Sequence, residues 1–411
     1  MSAVAGTTPE NLPVEKQSVG DAARGWWIGV RNGELGALPI VVGIVIIAIY
    51  FQSRNSNFLT AGNFVNLIAQ ASPVIVIGMG VVFVLLLGEI DLSIGYVSGI
   101  GGVVAATLLV PDGHHQTSTA VALIAALGAG AAIGLLQGFW FAKIGVPSFV
   151  VTLAGLLAWN GVVLQIIGNS GTIVIQDKVI NGLANDYMSN TLALAVLIVS
   201  VAGFVLQQVL TVRARSRAGL PNVPWTLIIL KILVVAGAGL FVVLWADSDR
   251  GLPYVTLLML VAYVFWSFIL NRTRFGRHVY AVGGNAEAAR RAGINVDGIR
   301  IAVFTISGFM AALGGIILAS RLSSVDTSTG GGSILLYSIA AAVIGGTSLF
   351  GGRGDIRSAV LGGVVIGMVA NGLGLLNVAV GTQFIVTGIV LLAAATLDSL
   401  SRRRSAAAGL R

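Results

Sequence analysis

The sequence predicts an all-α, polytopic membrane protein with about twelve transmembrane helices and with both termini in the cytoplasm. Three observations indicate this fold class. Of the 411 residues, 56% are hydrophobic and only 10% are charged, whereas soluble domains carry about 25% charged residues. Apolar runs of roughly 20 residues, the length that a membrane-spanning helix needs, recur along the chain. The basic residues fall almost entirely in every second connection between these runs.

The two ends of the chain are predicted to be polar cytoplasmic tails. Residues 1–35 have mixed charge, and they lack the apolar core and small-residue cleavage site of a secretory signal peptide. Trp26 and Trp27 are expected at the level of the lipid headgroups, so this tail ends in an interfacial segment. Residues 399–411 form a second, basic tail.

Between the tails, residues 36–398 are predicted to form one transmembrane domain. Pro73 is expected to kink the second apolar run or to delay its start, and the tenth run is rich in glycine. The predicted spans are 36–52, 64–87, 94–110, 119–142, 147–167, 190–212, 225–245, 252–270, 299–320, 334–350, 358–377 and 381–398.

The distribution of basic residues gives an independent test of these spans. With the N-terminus in the cytoplasm and alternating crossings, the inner segments hold 19 of the 24 Lys and Arg residues. Lys231 lies inside a span, near its inner end, from which it can snorkel to the interface. The net charge of +8 is therefore a sign of topology, and not of a nucleic-acid surface. The outer segments hold only Arg54, Lys178, Arg250 and Arg321.

Several motifs of catalysis and metal binding are absent. The chain has no cysteine, which excludes disulfides, thiolate metal sites and cysteine nucleophiles. It has no GxxxxGK(S/T) loop to hold nucleotide phosphates, and no HExxH or GxSxG sequence. The histidines His114, His115 and His278 do not form a metal-binding pattern. We therefore expect a chain that is not an enzyme, cannot hydrolyse ATP by itself, and binds no metal or cofactor.

The longest inner loop, 271–298, is predicted to contain a short helix with both ends capped. Asn285 is a good N-cap, Glu287 lies in the first turn, and Arg290 complements the last turn. Gly293 can adopt the left-handed conformation that ends a helix.

The same helix has a predicted docking surface. Ala288, Ala289 and Ala292 are expected to form a small, flat face, and Gly283 and Gly284 a hinge before it. These features favour the docking of another protein, and the alternative is a helix lying idle on the membrane surface.

Polar side chains at membrane depth are candidates for a translocation path or gate. Asp91 is interpreted as a helix cap, whereas Glu89 has three open roles: contact with solute, gating of the inner mouth, or pairing with Lys231 or an arginine. Amide side chains suit an uncharged polyhydroxyl solute, although helix–helix hydrogen bonding explains single amides equally well. The path or gate candidates are Glu89, Asp91, Ser93, Gln137, Asn160 and Asn371.

Four segments of the chain, in the same order, resemble the membrane permeases of bacterial ABC monosaccharide importers. They are GEIDLSIG (88–95), VPSFVVTLAG (146–155), FGRHVYAVGGNAEAARRAGINV (275–296) and AAVIGGTSLFGGRGDI (341–356). The opening GELGALPIVVGIVIIAIYFQ (33–52) is similar to the xylose-type branch. The resemblance extends from about residue 33 to Asp398.

The resemblance implies a permease domain at 36–398 in the bacterial inner membrane, which moves a monosaccharide such as xylose or a similar pentose or hexose. It implies a homodimer that receives sugar from an extracytoplasmic binding protein, and two ATPase subunits that hold the ATP and Mg²⁺. The alternative is an ion-coupled secondary sugar carrier. The implied ATPase-coupling residues in the loop 276–296 are Gly276, Arg277, Gly283, Gly284, Asn285, Glu287, Ala288, Ala289, Arg290 and Gly293.

Overall fold

A computed structural model describes residues 38–110, 117–220 and 222–407, together with Gly20 and Arg24. The predictions for Trp26, Trp27, His114 and His115 lie outside the described residues, as does most of the tail 1–35.

The described chain is predominantly helical. Two three-residue strands, β1 (Thr172–Val174) and β2 (Ser324–Asp326), pair antiparallel with Thr172 opposite Asp326. A π-helical turn, Trp140–Ile144, extends α4. The helices are α1 (Leu38–Arg54), α2 (Ala61–Leu86), α3 (Ile94–Leu108), α4 (Thr119–Phe139), α5 (Ser148–Ile167), α6 (Lys178–Asn185), α7 (Asn190–Arg217), α8 (Trp225–Asp247), α9 (Tyr254–Arg272), α10 (Arg274–Gly284), α11 (Ala286–Arg291), α12 (Val296–Leu322), α13 (Ile334–Ile344), α14 (Ile356–Leu375) and α15 (Val380–Ala407).

Among the described residues, eight helices are long and apolar enough to cross a membrane: α2, α4, α5, α7, α8, α9, α12 and α14. Four shorter apolar helices are α1, α3, α13 and the part of α15 at Val380–Ala393. Each of the twelve predicted spans coincides with one of these helices. The predicted class, an all-α polytopic membrane fold, is thereby confirmed.

The two weakest predicted spans differ from the observed helices. The second span does not start late, because α2 begins at Ala61 and continues through Pro73. Proline supplies no N–H to the carbonyl four residues earlier, but the Ser72 hydroxyl donates to the Ala69 carbonyl at 2.9 Å instead. The tenth span is shorter than predicted, because α13 ends at Ile344. A turn follows in which Gly346 has φ +104°, a left-handed conformation that glycine adopts readily.

The chain divides into two compact units. The larger comprises Gly36–Met188 and Ala246 onwards. In it α12 packs along α2, α3 and α4, while α14 packs against α2 and α13. The smaller contains Ser189–Trp245, with α7 and most of α8. Lys231, on α8, has an exposed side chain.

Glycines bring helices of the larger unit to backbone distance. The sequence repeats glycine every fourth residue at 130–138, which predicts close packing. In the structure, a Cβ at Gly134 would overlap the Phe304 carbonyl, and one at Gly130 would overlap the Gly308 carbonyl. This confirms the predicted small-residue face, which α12 occupies.

Candidate functional site

The inner loop contains the predicted capped helix, which is α11. The Asn285 side-chain oxygen accepts the Ala288 N–H at 2.9 Å, and Glu287 lies in the first turn. Arg290 lies in the last turn, and Gly293 adopts φ +83°. Both caps follow from local sequence, because each satisfies backbone groups that a helix end leaves unpaired.

A second helix in this loop, α10, was missed by the sequence reasoning. The Thr273 hydroxyl accepts the Gly276 N–H at 3.3 Å, and this caps its N-terminus. Val279 and Val282 are buried. The signal was present, since a Thr cap precedes apolar residues at 275, 279 and 282, which is helical spacing.

Two predicted features of the docking surface were wrong. Ala289 is buried, so the exposed small residues are Ala288 and Ala292 without it. Gly283 lies within α10, where a Cβ would overlap the Leu86 carbonyl oxygen, so this glycine provides close packing and not a hinge. The chain turns one step later at Asn285, where φ −162° breaks the helix before α11 begins.

The loop is fixed to two neighbouring turns. Gly352 donates its N–H to the Leu86 carbonyl at 2.9 Å, beside Gly283. The Tyr280 hydroxyl donates to the Gly354 carbonyl at 2.8 Å. Burial, and then the nearby Asp355 carboxylate, raise the pKa of Tyr280 to about 12, so this hydroxyl keeps its proton at physiological pH.

A buried polar network lies where the chain passes from α2 to α3. The Asp91 Oδ1 accepts the Ser93 N–H at 2.9 Å and the Ser93 hydroxyl at 2.6 Å, and its Oδ2 accepts the Ser307 hydroxyl at 3.2 Å. Because the Ser93 proton is used by Asp91, Ser93 Oγ accepts from the Gln137 amide at 2.9 Å. All four side chains are at most 5% exposed. Asp91 thus bonds to the N–H of Ser93, the residue at the N-cap position of α3, whose own side chain makes no capping bond.

Glu89, two residues earlier, is half-buried and bonds to a different helix. The hydroxyl of Ser148, the first residue of α5, donates to Glu89 Oε2 at 2.5 Å. Glu89 takes part in none of the four ion pairs found among the described residues. Pairing with Lys231 or an arginine, one of the three roles left open for Glu89, is therefore not found in that part of the chain.

An unpaired donor lies beside the Gln137 amide. A Cβ at Gly155 would overlap Gln137 Nε2 and lie 2.9 Å from Trp159 Nε1. The Trp159 Nε1 atom is buried, and no hydrogen-bond partner is found for it among the described residues. The predicted path residue Asn160 is only half-buried and is not one of the hydrogen-bonding partners of Asp91, Ser93 or Gln137.

Asn371 belongs to a second, separate cluster. It exchanges amide hydrogen bonds of 2.8 and 3.0 Å with Asn63, and its Nδ2 also lies 3.2 Å from Gln70 Oε1. Asn63 lies near the start of α2, whereas Asp91 follows the end of α2. At 1.5 Å per residue, the 26 residues of that helix span about 39 Å. Asn371 is therefore remote from the Asp91 network.

No solved structure matches this chain significantly. A family model described as branched-chain amino acid transport system / permease component matches residues 63–395, most of the chain. The chain belongs to this permease family.

Curated relatives of the permease include several sugar-transport permeases of Escherichia coli (strain K12). The xylose transport system permease protein is 35% identical over 387 residues, which are 93% of the permease and 96% of the relative. The D-allose transport system permease protein is 32% identical over 87% of the permease and 89% of that relative. The ribose import permease protein is 32% identical over 88% of the permease and 92% of that relative.

These matches confirm the resemblance to ABC sugar-importer permeases that the four sequence motifs indicate. The permease is a transport subunit and not an enzyme, and it is a multi-pass protein of the inner membrane. Among the described residues, no three His, Asp or Glu side chains gather where they could hold a metal ion. That the permease binds no cofactor stays a prediction.

Proposed function

We propose that the permease forms the translocation pathway of an ATP-driven importer of a monosaccharide, xylose or a similar pentose or hexose. The observation that carries this proposal is the match to a xylose transport permease over 93% of the chain and 96% of the relative. A match of that extent leaves no large part of either protein outside the alignment. The family membership gives no support to the alternative of an ion-coupled carrier.

The proposal includes twelve crossings, with the domains predicted above: cytoplasmic tails at 1–35 and 399–411 and a permease domain at 36–398. Contacts between connections predicted to be cytoplasmic support it. Lys143 Nζ lies 3.1 Å from Asp297 Oδ2, and Gly352 donates to the Leu86 carbonyl at 2.9 Å. An odd number of crossings between either pair would have placed the two partners on opposite sides.

Several connections predicted to lie outside also contact one another. The pairing of β1 with β2 joins the connection after α5 to the one after α12. Asn55 donates to the Leu375 carbonyl at 3.0 Å, and Met188 donates to the Leu252 carbonyl at 2.8 Å. Met188 precedes α7 and Leu252 follows α8. Their hydrogen bond means that the chain leaves and returns on the same side of the membrane, so α7 and α8 together make an even number of crossings.

The ATPase is proposed to dock on α10 and α11, on the cytoplasmic side. This surface offers the exposed side chains of Arg277, Glu287, Ala288, Arg290 and Ala292 around a rigidly held helix pair. ATP and Mg²⁺ are proposed to bind to the ATPase subunits, an extracytoplasmic binding protein is proposed to deliver the sugar, and the permease is proposed to act as a homodimer.

The Asp91 network is proposed as a gate whose opening is coupled to the ATPase docked on α10 and α11. Leu86, whose carbonyl is covered by Gly283 and Gly352, ends α2, and the chain reaches Glu89 and Asp91 within five residues. A displacement of α10 would therefore act directly on the segment that holds Glu89, Asp91 and Ser93. Asn160 and Asn371 stay predictions as path residues.

The test is reconstitution. The permease is co-expressed with the ATPase and binding protein encoded beside it, and ATP hydrolysis is measured in proteoliposomes with D-xylose, D-ribose and D-allose. We expect a stable complex whose hydrolysis rises with one sugar-loaded binding protein. A permease that purifies alone and accumulates sugar under an imposed ion gradient, without ATP, would overturn the proposal.

A further inference from the structure

A cavity lies in the larger unit where α2, α12, α13 and α14 meet. Its volume is about 280 Å³, and its walls come from α2, α14, the last turns of α12 and the first turns of α13. Val74 and Ile366 contribute apolar wall. Its polar wall consists of Gln70, Arg321, Ser333 and Tyr337.

Arg321 gives this cavity an uncompensated positive charge. It is half-buried, and among the described residues it forms no ion pair and no hydrogen bond. None of the residues lining the cavity is an aspartate or glutamate. A guanidinium carries five N–H donors, and half-burial without a protein acceptor leaves them to a bound molecule or to water.

Gln70, on α2, adds oriented donors to the cavity wall. Its Oε1 accepts from Asn371 Nδ2 at 3.2 Å, and Asn371 is itself held by Asn63. This bond fixes the Gln70 amide, and its Nε2 donors have no acceptor among the described residues. The cavity is therefore rich in donors, and the Tyr337 ring and the aliphatic residues provide flat apolar surface.

The size suits one small sugar. A volume of about 280 Å³ lies near the lower end of the range of small-molecule pockets, about 300–1,000 Å³. A pentose or hexose is a ligand of that small class. Pockets that combine apolar walls with a few convergent polar groups are typical binding sites for small molecules.

We propose that this cavity binds the transported monosaccharide, with sugar hydroxyl oxygens accepting from Arg321 and Gln70 and the sugar ring against Tyr337. This inference rests on the proposed function, because it places the site on the side from which an importer receives its solute. The cavity's wall residue Ile334 packs against Gly95, four residues after Asp91, so the proposed sugar site adjoins the segment that holds Asp91.

The natural absence of cysteine permits a direct test. Ser333→Cys introduces one thiol in the cavity wall, and Ser56→Cys introduces one on an exposed loop on the same side as a matched control. Labelling rates with a membrane-impermeant thiosulfonate are measured on intact proteoliposomes with D-xylose, D-ribose, D-allose and sucrose. At ten times Kd, the free fraction falls to about a tenth, so the transported sugar is expected to slow labelling of Ser333→Cys about tenfold. Sucrose is expected to protect neither variant.

Arg321→Gln gives the second readout, with Arg54→Gln on an exposed position of α1 as its control. We expect the apparent affinity for sugar to fall about tenfold, which corresponds to one charge-assisted hydrogen bond, while the complex with the ATPase still forms. Unslowed labelling of Ser333→Cys together with normal uptake by Arg321→Gln would overturn the cavity site and leave the importer standing. Failure of the proposed function would be seen separately, as the absence of sugar-stimulated ATP hydrolysis in the unmutated complex.

Discussion

At the scale of single residues, Asp91 shows how a carboxylate is accommodated at membrane depth. Buried charges are costly unless their hydrogen-bonding capacity is satisfied. Here the carboxylate accepts one backbone N–H and two serine hydroxyls, all from groups that are themselves buried. The residue therefore joins the start of α3 to the middle of α12, in addition to any role in gating.

Asp91→Ala is expected to destabilise the permease by about 2 kcal/mol or more, because it leaves the Ser93 N–H and the Ser307 hydroxyl buried without their acceptor. Asp91→Asn keeps one acceptor oxygen toward Ser93, and we expect it to lose less stability than Asp91→Ala. The measurement is thermal unfolding of the purified variants in detergent. Equal losses for Asn and Ala would show that the negative charge, and not the hydrogen bonding, is what matters.

At the scale of elements, the helix pair α10–α11 joins an exposed face to a buried contact. Its exposed side presents Ala288 and Ala292, while Gly283 touches the Leu86 carbonyl on its inner side. This arrangement gives the docking surface a short mechanical connection to the end of α2. The two sides of the pair can be tested independently.

Gly283→Ala is expected to disturb the contact with Leu86, since its Cβ would overlap a backbone oxygen that cannot rotate away. Gly284→Ala is the matched control, because nothing lies within 4 Å of a Cβ there. We expect a lower melting temperature and weaker coupling of ATP hydrolysis to uptake for Gly283→Ala only. Identical behaviour of the two variants would contradict the proposed transmission through Leu86.

Ala288→Glu is expected to abolish co-purification of the ATPase without loss of membrane insertion, because Ala288 is exposed and the change adds bulk and charge to the proposed contact. Ala218→Glu, at an exposed position after α7, is the control and should retain the complex. Ala289→Glu is expected to destabilise the fold itself, since that side chain is buried. Normal transport by Ala288→Glu would refute docking at α11.

At the scale of the whole molecule, two polar clusters lie at opposite ends of α2, which runs for 26 mostly buried residues between them. One contains Asp91 and the other contains Asn371 and adjoins the cavity of Arg321. The cavity lies between the two clusters, because its wall includes Gln70, which bonds to Asn371, and Ile334, which packs against Gly95 close to Asp91.

The proposed topology predicts which surface cysteines an impermeant reagent reaches. Ser56→Cys and Ser328→Cys, both exposed, are expected to be labelled on intact cells from which the outer membrane has been removed. Ala218→Cys and Ala288→Cys are expected to be labelled only after permeabilisation. Labelling of Ser56→Cys without Ser328→Cys would mean that a helix between them, such as the short α3, does not complete a crossing.

The sequence by itself determined the membrane class, the positions of the apolar helices and the caps of α11, because hydropathy, basic-residue distribution and capping depend on residues close together in the chain. It also determined the family, through motifs such as GEIDLSIG. Only the tertiary structure decided that Ala289 is buried, that Gly283 packs on Leu86, and that Asn371 lies apart from Asp91. The cavity of Arg321 likewise depends on four elements distant in sequence. These features depend on which helix faces pack together, and the pattern of residues close together in the chain does not determine that packing.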